Sequence, residues 1–357
     1  MNSGPSDEII KILHSLNVQD EEKIEYFLNQ NCLFIAEKIC DSKSELKKIA
    51  ALKNINKCIA NNRLAALKPV FCELQKKDIA YAVIKGDILS IQIYGQIGYR
   101  RSTDIDILIE PSAISEVKKI LYNSGFSTIG SSADSQQRKK EIFWTLNTHQ
   151  IIPFHKVVNK QLVNVDINFD VYWGQSDTNC DMAYILNRTN DLEINGVNIR
   201  VLDKEMSFLT MCLHHFKDLN STYLISQGSY KISHFLDIFM FVYLHHHEFD
   251  VQKLKRYIND LKAEKYVCWC MQVTSLVFES DVLEELLRVL NYPIGAVDDS
   301  YGLLETHRKK WCIPLNERIF SNNWIEKFVD SLDVQEKREI DNNLNYSYLI
   351  KERRLNR

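Results

Sequence analysis

The 357-residue chain lacks an excess of charge of either sign: 44 Lys and Arg stand against 47 Asp and Glu, a formal net charge of −3. Proteins that neutralise many nucleic-acid phosphates carry a basic surplus, so nucleic acid is an unlikely partner here, left open only for a local basic face. No apolar run approaches the roughly 20 residues that span a bilayer. The first residues include Asp7 and Glu8 and hold no continuous apolar stretch. Neither a signal peptide nor a membrane span is therefore expected, and the expected location is cytoplasmic. Cysteine is present nine times, an odd number without paired Cys-x-x-Cys spacing, which disfavours a disulfide framework or a thiolate metal site. The thiols read as reduced and mostly buried. Internal repeats and low-complexity tracts are missing as well.

What is present is ample material for a core, with 45% hydrophobic and 10% aromatic residues. The length exceeds what one core usually holds, so several packed units are expected. Residues 1–77 read as an N-terminal helical cap, with stripes at Ile9, Ile12, Leu13 and Leu16, at Ile24, Phe27 and Leu28, and at Leu64 to Leu74. Residues 78–203 alternate in the manner of strands, with runs at Ile142 to Thr145, Ile151 to Val158 and Leu162 to Trp173 that look antiparallel, and read as the core domain. Residues 204–295 return to helical spacing as a helical domain, and 296–357 form a C-terminal extension with one helix expected at Trp324 to Leu332.

The stretch from Tyr81 to Glu110 carries the chemistry. Its order is strand, turn at Lys85-Gly86-Asp87, a helix bearing Ile88, Ile91 and Tyr94, a loop with Gly98 and Arg100, and the strand Asp104-Ile-Asp-Ile-Leu-Ile. Side chains alternate along a strand, so Asp104 and Asp106 share one face about 6.6 Å apart. Two carboxylates so placed repel each other unless a cation lies between them, and hard divalent cations prefer such oxygens. A glycine turn that opens a helix offers backbone N–H groups to phosphates close by.

This combination resembles the nucleotidyltransferase superfamily with the DNA polymerase β type of core, and more closely a bacterial family of uncharacterised nucleotidyltransferases. Lys85-Gly86, Tyr94, Gly98, Arg100, Asp104 and Asp106 match its pattern position by position. Asp87 departs from it, standing where a small residue is usual, and reads as a helix cap that points away from phosphate. The resemblance implies an α+β fold, with a small mixed β-sheet core flanked by N-terminal helices and a C-terminal helical domain. It also implies transfer of a nucleoside monophosphate from an NTP, ATP foremost, to a hydroxyl or amine of an acceptor, with pyrophosphate released. Two Mg²⁺ ions, or Mn²⁺ in their place, would be bound by Asp104, Asp106 and a third acid. The sequence Asp170-Val-Tyr-Trp fits the family's third acidic position, with Tyr172 in place of His, so Asp170 is assigned there and Asp166 is the fallback. Gly86 and Arg100 would hold phosphate oxygens, and Lys85 would do the same or anchor the turn.

In the helical half, His214-x-x-Lys217 and the spacing from Lys231 to Asp237 also match the family, while Asp218 departs from it. Lys217 and Asp237 are accordingly assigned to the nucleotide site, against the plainer reading of a Lys217–Asp237 salt bridge. Polar residues 127–140 read as a mobile loop or as a basic substrate clamp through Arg138, Lys139 and Lys140. His245-His246-His247 lacks the i, i+4 spacing of a helical metal pair and reads as a helix end. A small-molecule acceptor is expected. Two other readings stay open: a catalytically silent nucleotide-binding module, and a toxin-like enzyme acting on tRNA or protein.

Overall fold

The computed structural model describes residues 20–30, 32–128, 149–172, 176–295, 297–305, 308–321 and 323–344. The stripe expected at Ile9 to Leu16, most of the polar stretch 127–140, the strand expected at Ile142 to Thr145 and Trp173 lie outside these residues. Helices α1 (Asp20–Asn29), α2 (Leu33–Ile39) and α3 (Lys43–Lys76) lead into strand β1 (Tyr81–Ile84). Then follow α4 (Gly86–Tyr94), β2 (Asp104–Ile109), α5 (Ile114–Asn123), β3 (Ser127–Thr128), β4 (Phe154–Val158), β5 (Gln161–Asn168), α6 (Met182–Leu186), β6 (Thr189–Ile194) and β7 (Val197–Leu202). The remainder is helical through α7 (Lys204–Asn220), α8 (Thr222–Ser226), α9 (Ile232–His245), α10 (Val251–Asp260), α11 (Glu264–Phe278) and α12 (Asp281–Leu290). A short ribbon of β8 (Ser300–Tyr301) and β9 (Lys309–Lys310) and helices α13 (Leu315–Phe320), α14 (Trp324–Ser331) and α15 (Val334–Leu344) complete it.

The fold is α+β. Its seven-stranded sheet runs β3-β4-β5-β2-β1-β7-β6. Strand β2 lies at the centre, antiparallel to β1 and parallel to β5, while β4 returns antiparallel beside β5. Alternation along β2 explains the layering. Ile105, Ile107 and Ile109 face a core closed by Leu64, Leu67, Val70, Phe71 and Leu74 of α3 and by Val117, Ile120 and Leu121 of α5. Leu108 stands on the opposite face, in the row begun by Asp104 and Asp106, and joins the larger core built from the C-terminal helices. The acids are thus at the open end of a row whose other end is buried.

Two local details differ from the sequence reading, and a third agrees with it. The strand expected to run from Leu162 to Trp173 ends at Asn168, after which the chain bends. The tail beyond residue 296 packs tightly: Tyr301, Trp324 and Phe328 are buried in the larger core, and the Arg318 guanidinium lies 4.3 Å from the Trp311 ring. The histidine run does end a helix, α9, and His245 Nε2 lies 2.6 Å from the Gln92 carbonyl oxygen of α4. Among the described residues no helix is long and apolar enough to cross a membrane.

Candidate active site

Backbone geometry at the turn between β1 and α4 is demanding. Lys85 has φ 59° and ψ −162°, a region that residues with a Cβ rarely enter, and Gly86 follows at φ 50°. A Cβ on Gly86 would come 2.8 Å from Ser102 Oγ and 3.4 Å from the Asp104 carbonyl oxygen. Glycine is therefore needed both for the left-handed backbone and for the close passage of the loop that delivers β2. Gly98 serves the same loop, because a Cβ there would lie 2.7 Å from the Lys53 carbonyl oxygen of α3.

Asp87 is not the helix cap. Lys85 occupies the cap position, and Asp87 sits inside the first turn, buried, where Arg63 of α3 donates to both its carboxylate oxygens at 2.8 to 3.2 Å. Arg63 Nη1 also donates to the Ser102 carbonyl at 2.5 Å. One buried guanidinium thus ties α3, the glycine turn and the loop before β2 together. The acid points away from the cleft, as its charge beside phosphate would require, but it does so as half of an ion pair.

Across the parallel pair, Asp106 of β2 stands in register with Asp166 of β5, and Asp104 with Asn164. Asp104, Asp106 and Asp166 all line one open cleft of about 600 Å³. Lys85 Nζ reaches Asp106 Oδ1 at 3.1 Å, and Asn168 Nδ2 donates to the same oxygen at 3.0 Å. Burial, followed by the charge of Asp106, raises the pKa of Asp104, with Lys85 opposing. Asp166 is pushed up to about 7, by burial first and then by Asp106 and Asp104, against Lys85 and a hydrogen bond with Gln150. Burial works against the charge on Lys85, but Asp106 and Asp218, with Asp104, outweigh it and raise the ammonium's pKa.

The facing wall is helical. Arg100, in the loop before β2, pairs at 3.0 Å with Asp237 of α9, and His215 Nε2 lies 3.2 Å from the same carboxylate. Asp237 is almost fully buried, and its own burial is overcome by Arg100, His215 and His234, so it stays below the ordinary carboxylate range. Burial holds His215 down to about 4, with Asp237 opposing. Lys217 of α7 pairs with its neighbour Asp218 at 3.8 Å, and the Lys217–Asp237 bridge of the plainer reading does not form. Burial lowers the pKa of Lys217, helped by Lys85 and opposed by Asp218 and Asp106.

Lys85, Gly86, Arg100, Asp104, Asp106 and Lys217 come together at the cleft. Asp237 is not among its lining residues but holds Arg100 from behind. Asp170 also stands apart. It lies past the end of β5, where its Oδ1 accepts the Tyr172 backbone N–H at 3.1 Å, and burial, opposed by that bond, raises its pKa. Tyr172 is buried against Tyr266 with ring centroids 5.0 Å apart. None of the three departures from the family pattern, Asp87, Tyr172 and Asp218, is among the residues lining the cleft. Residues that sequence reasoning did not assign include His149, Gln150, His214 and Lys231, all on the cleft wall. The i, i+4 spacing of His214 and Asp218 was a readable signal; His149 and Gln150 precede β4 in an irregular segment and carried none.

The sequence profile of a family described as uncharacterised nucleotidyltransferase matches residues 44–279. No curated protein matches the chain in sequence. Among solved structures the chain is similar to ANT(2'')-Ia crystallised with adenylyl-2''-tobramycin, at 10% identity and a TM-score of 0.34, over 57% of this chain and 98% of that one. It is also similar to an antigenic nucleotidyltransferase-like protein from Paracoccidioides brasiliensis, at 12% identity and a TM-score of 0.31, over 66% of this chain and 95% of that one. The solution structure of the antibiotic-resistance factor ANT(2'')-Ia is similar at 11% identity and a TM-score of 0.29, over 65% and 92% of the two chains.

Proposed function

The chain belongs to the uncharacterised nucleotidyltransferase family, and from that premise we propose that it transfers a nucleoside monophosphate from an NTP, ATP foremost, to a hydroxyl or amine of a small molecule, releasing pyrophosphate. The observation that carries this reading is the pairing of Asp106 with Asp166 across two parallel strands, with Asp104 two residues earlier on the same face. Three oxygen donors thereby converge at the start of α4, where backbone N–H groups are open to phosphate.

Among the described residues no three His, Cys, Asp or Glu side chains are yet gathered at the spacing of metal ligands. The donor set nevertheless fits hard divalent cations. The acids are desolvated and mutually repelling, and a lysine ammonium already bonds one of them. Asp104, Asp106 and Asp166 would hold such ions, with Asp170 outside the set. The ions, when bound, neutralise the triphosphate and polarise the acceptor. Gly86 N–H and Arg100 hold phosphate oxygens, and Asp237 keeps the Arg100 guanidinium oriented. Lys217 adds charge from the opposite wall, in line with a reaction catalysed mainly by positioning and neutralisation. The cleft volume suits a nucleotide and a small acceptor more than a macromolecule, and the chain's near-zero net charge agrees.

Thermal shift with an NTP panel, with and without Mg²⁺, tests the reading. ATP with Mg²⁺ is expected to stabilise the protein, and the double substitution Asp104→Asn, Asp106→Asn is expected to abolish the metal-dependent part. A double variant that responds to Mg²⁺–ATP like the parent would remove the basis for the proposal.

A further inference from the structure

We propose that His214, held by Asp218, is the general base of the transfer, taking the proton of the acceptor's hydroxyl or amine in place of a carboxylate on the sheet. The assignment rests on the transferase reading above and adds to it a base on the helical wall.

The geometry is that of an oriented imidazole. His214 and Asp218 lie one turn apart on α7, with Nε2 3.3 Å from Asp218 Oδ2. His234 of α9 approaches the same oxygen at 3.6 Å, and Lys217 Nζ lies 3.8 Å from Oδ1. Burial acts to neutralise Asp218, but His214 and Lys217, then His234, outweigh it and keep the carboxylate well below its ordinary range. An ionised carboxylate facing Nε2 fixes the ring proton on that nitrogen and leaves Nδ1 bare. The residue lines the cleft with about a fifth of its side chain exposed. The ring is thus open to the space an acceptor would enter. Burial, with the charges of Lys85 and Lys217, holds this imidazole well below 6.5 against the pull of Asp218, so the free ring is uncharged at neutral pH.

The neighbours serve less well. His215 is fully buried against Asp237. The sheet acids are the metal donors, and a carboxylate whose lone pairs bind a cation is a weak base. Lys85 feels both Asp106 and Asp218, which puts the two walls within electrostatic reach across the cleft.

In the step, the acceptor O–H or N–H bond breaks and its proton passes to Nδ1 while the heteroatom bonds to the α-phosphorus. The bond from that phosphorus to the bridging oxygen breaks, and its electron pair leaves on pyrophosphate. The imidazolium, stabilised by Asp218, then gives its proton to solvent.

Two measurements test the assignment. In long-range ¹H–¹⁵N spectra at pH 7, assigned with His214→Gln, the wild-type ring is expected as the Nε2–H tautomer; an Nδ1–H ring or an imidazolium overturns the proposal. In pyrophosphate release from Mg²⁺–ATP with glycerol, ethanolamine and glucosamine as acceptors, His214→Gln is expected to lose roughly 10²- to 10⁴-fold in rate while Mg²⁺–ATP still stabilises it. Asp218→Asn is expected to move the acid limb of the pH profile to lower pH, since Asp218 raises the His214 pKa, and Asp218→Glu to restore it in part. A His214→Gln variant as fast as the parent overturns the proposal alone. A parent that releases no pyrophosphate with any acceptor overturns the transferase reading, and the base falls with it.

Discussion

On the sheet wall of the cleft, Asp104 and Asp166 are held above the ordinary carboxylate range, by burial first and then by neighbouring carboxylates. On the helical wall, Asp218 and Asp237 are just as desolvated yet held below it, because histidines, Lys217 and Arg100 surround them. The same residue type thus exists in two electrostatic conditions a cleft's width apart. The helical acids are satisfied and act as supports for His214, Lys217 and Arg100. Among the sheet acids Asp106 pairs with Lys85, which also lowers the pKa of Asp104 and Asp166 without outweighing their burial, and a divalent ion would relieve them.

The largest expected effect separates two acids of similar sequence context. Asp166→Asn should lower the rate of transfer by several orders of magnitude, on the order of 10³-fold or more when a group acting with the transition state is removed. Asp170→Asn should stay within a few-fold of the parent, because its carboxylate serves the local turn at Tyr172. Pyrophosphate release measures both, and the reverse pattern would return the third position to Asp170.

A smaller effect distinguishes the walls by stability. Asp237→Asn leaves the Arg100 charge without its buried partner and should cost roughly 3–5 kcal/mol in urea unfolding. Asp104→Asn removes a repulsion instead, so without metal its midpoint should be equal to or above that of the parent. Equal losses in the two variants would erase the distinction.

The smallest effect is a proton. With Asp166 near 7, the folded chain retains a proton between about pH 4 and 7 that the unfolded chain has already released, so in the metal-free protein this group costs stability as pH rises through that window. Metal binding must expel that proton. Titration calorimetry in buffers of different ionisation enthalpy should show release on the order of one proton per Mg²⁺ at pH 6, fading by pH 8.5, and none in Asp166→Asn. Release unchanged in that variant would move the linkage to another acid.

Much of the sheet wall was legible in advance because it is written in short-range rules. A period of two placed Asp104 and Asp106 on one face with isoleucines behind them, and the left-handed turn called for a glycine at 86. The choice between Asp166 and Asp170 was not legible, since extending the alternation past Asn168 keeps both on one face until the chain bends. Asp87 likewise read as a cap because its partner, Arg63, lies 24 residues back on another helix. Lys217 and Asp237 could be read as partners for each other, and the packing of α7 against α9 gave each a different partner.

By itself the chain's order of residues determined the acidic strand, the glycine turn before it, and the helical character of both flanks, because periodicity, backbone freedom and desolvation cost act over a few neighbouring residues. Only the tertiary structure decided the strand order that brings Asp166 beside Asp106 and seats His214, Lys217 and Asp218 across from them. Those choices depend on which apolar faces cover one another, and that energy is summed over residues far apart in the chain.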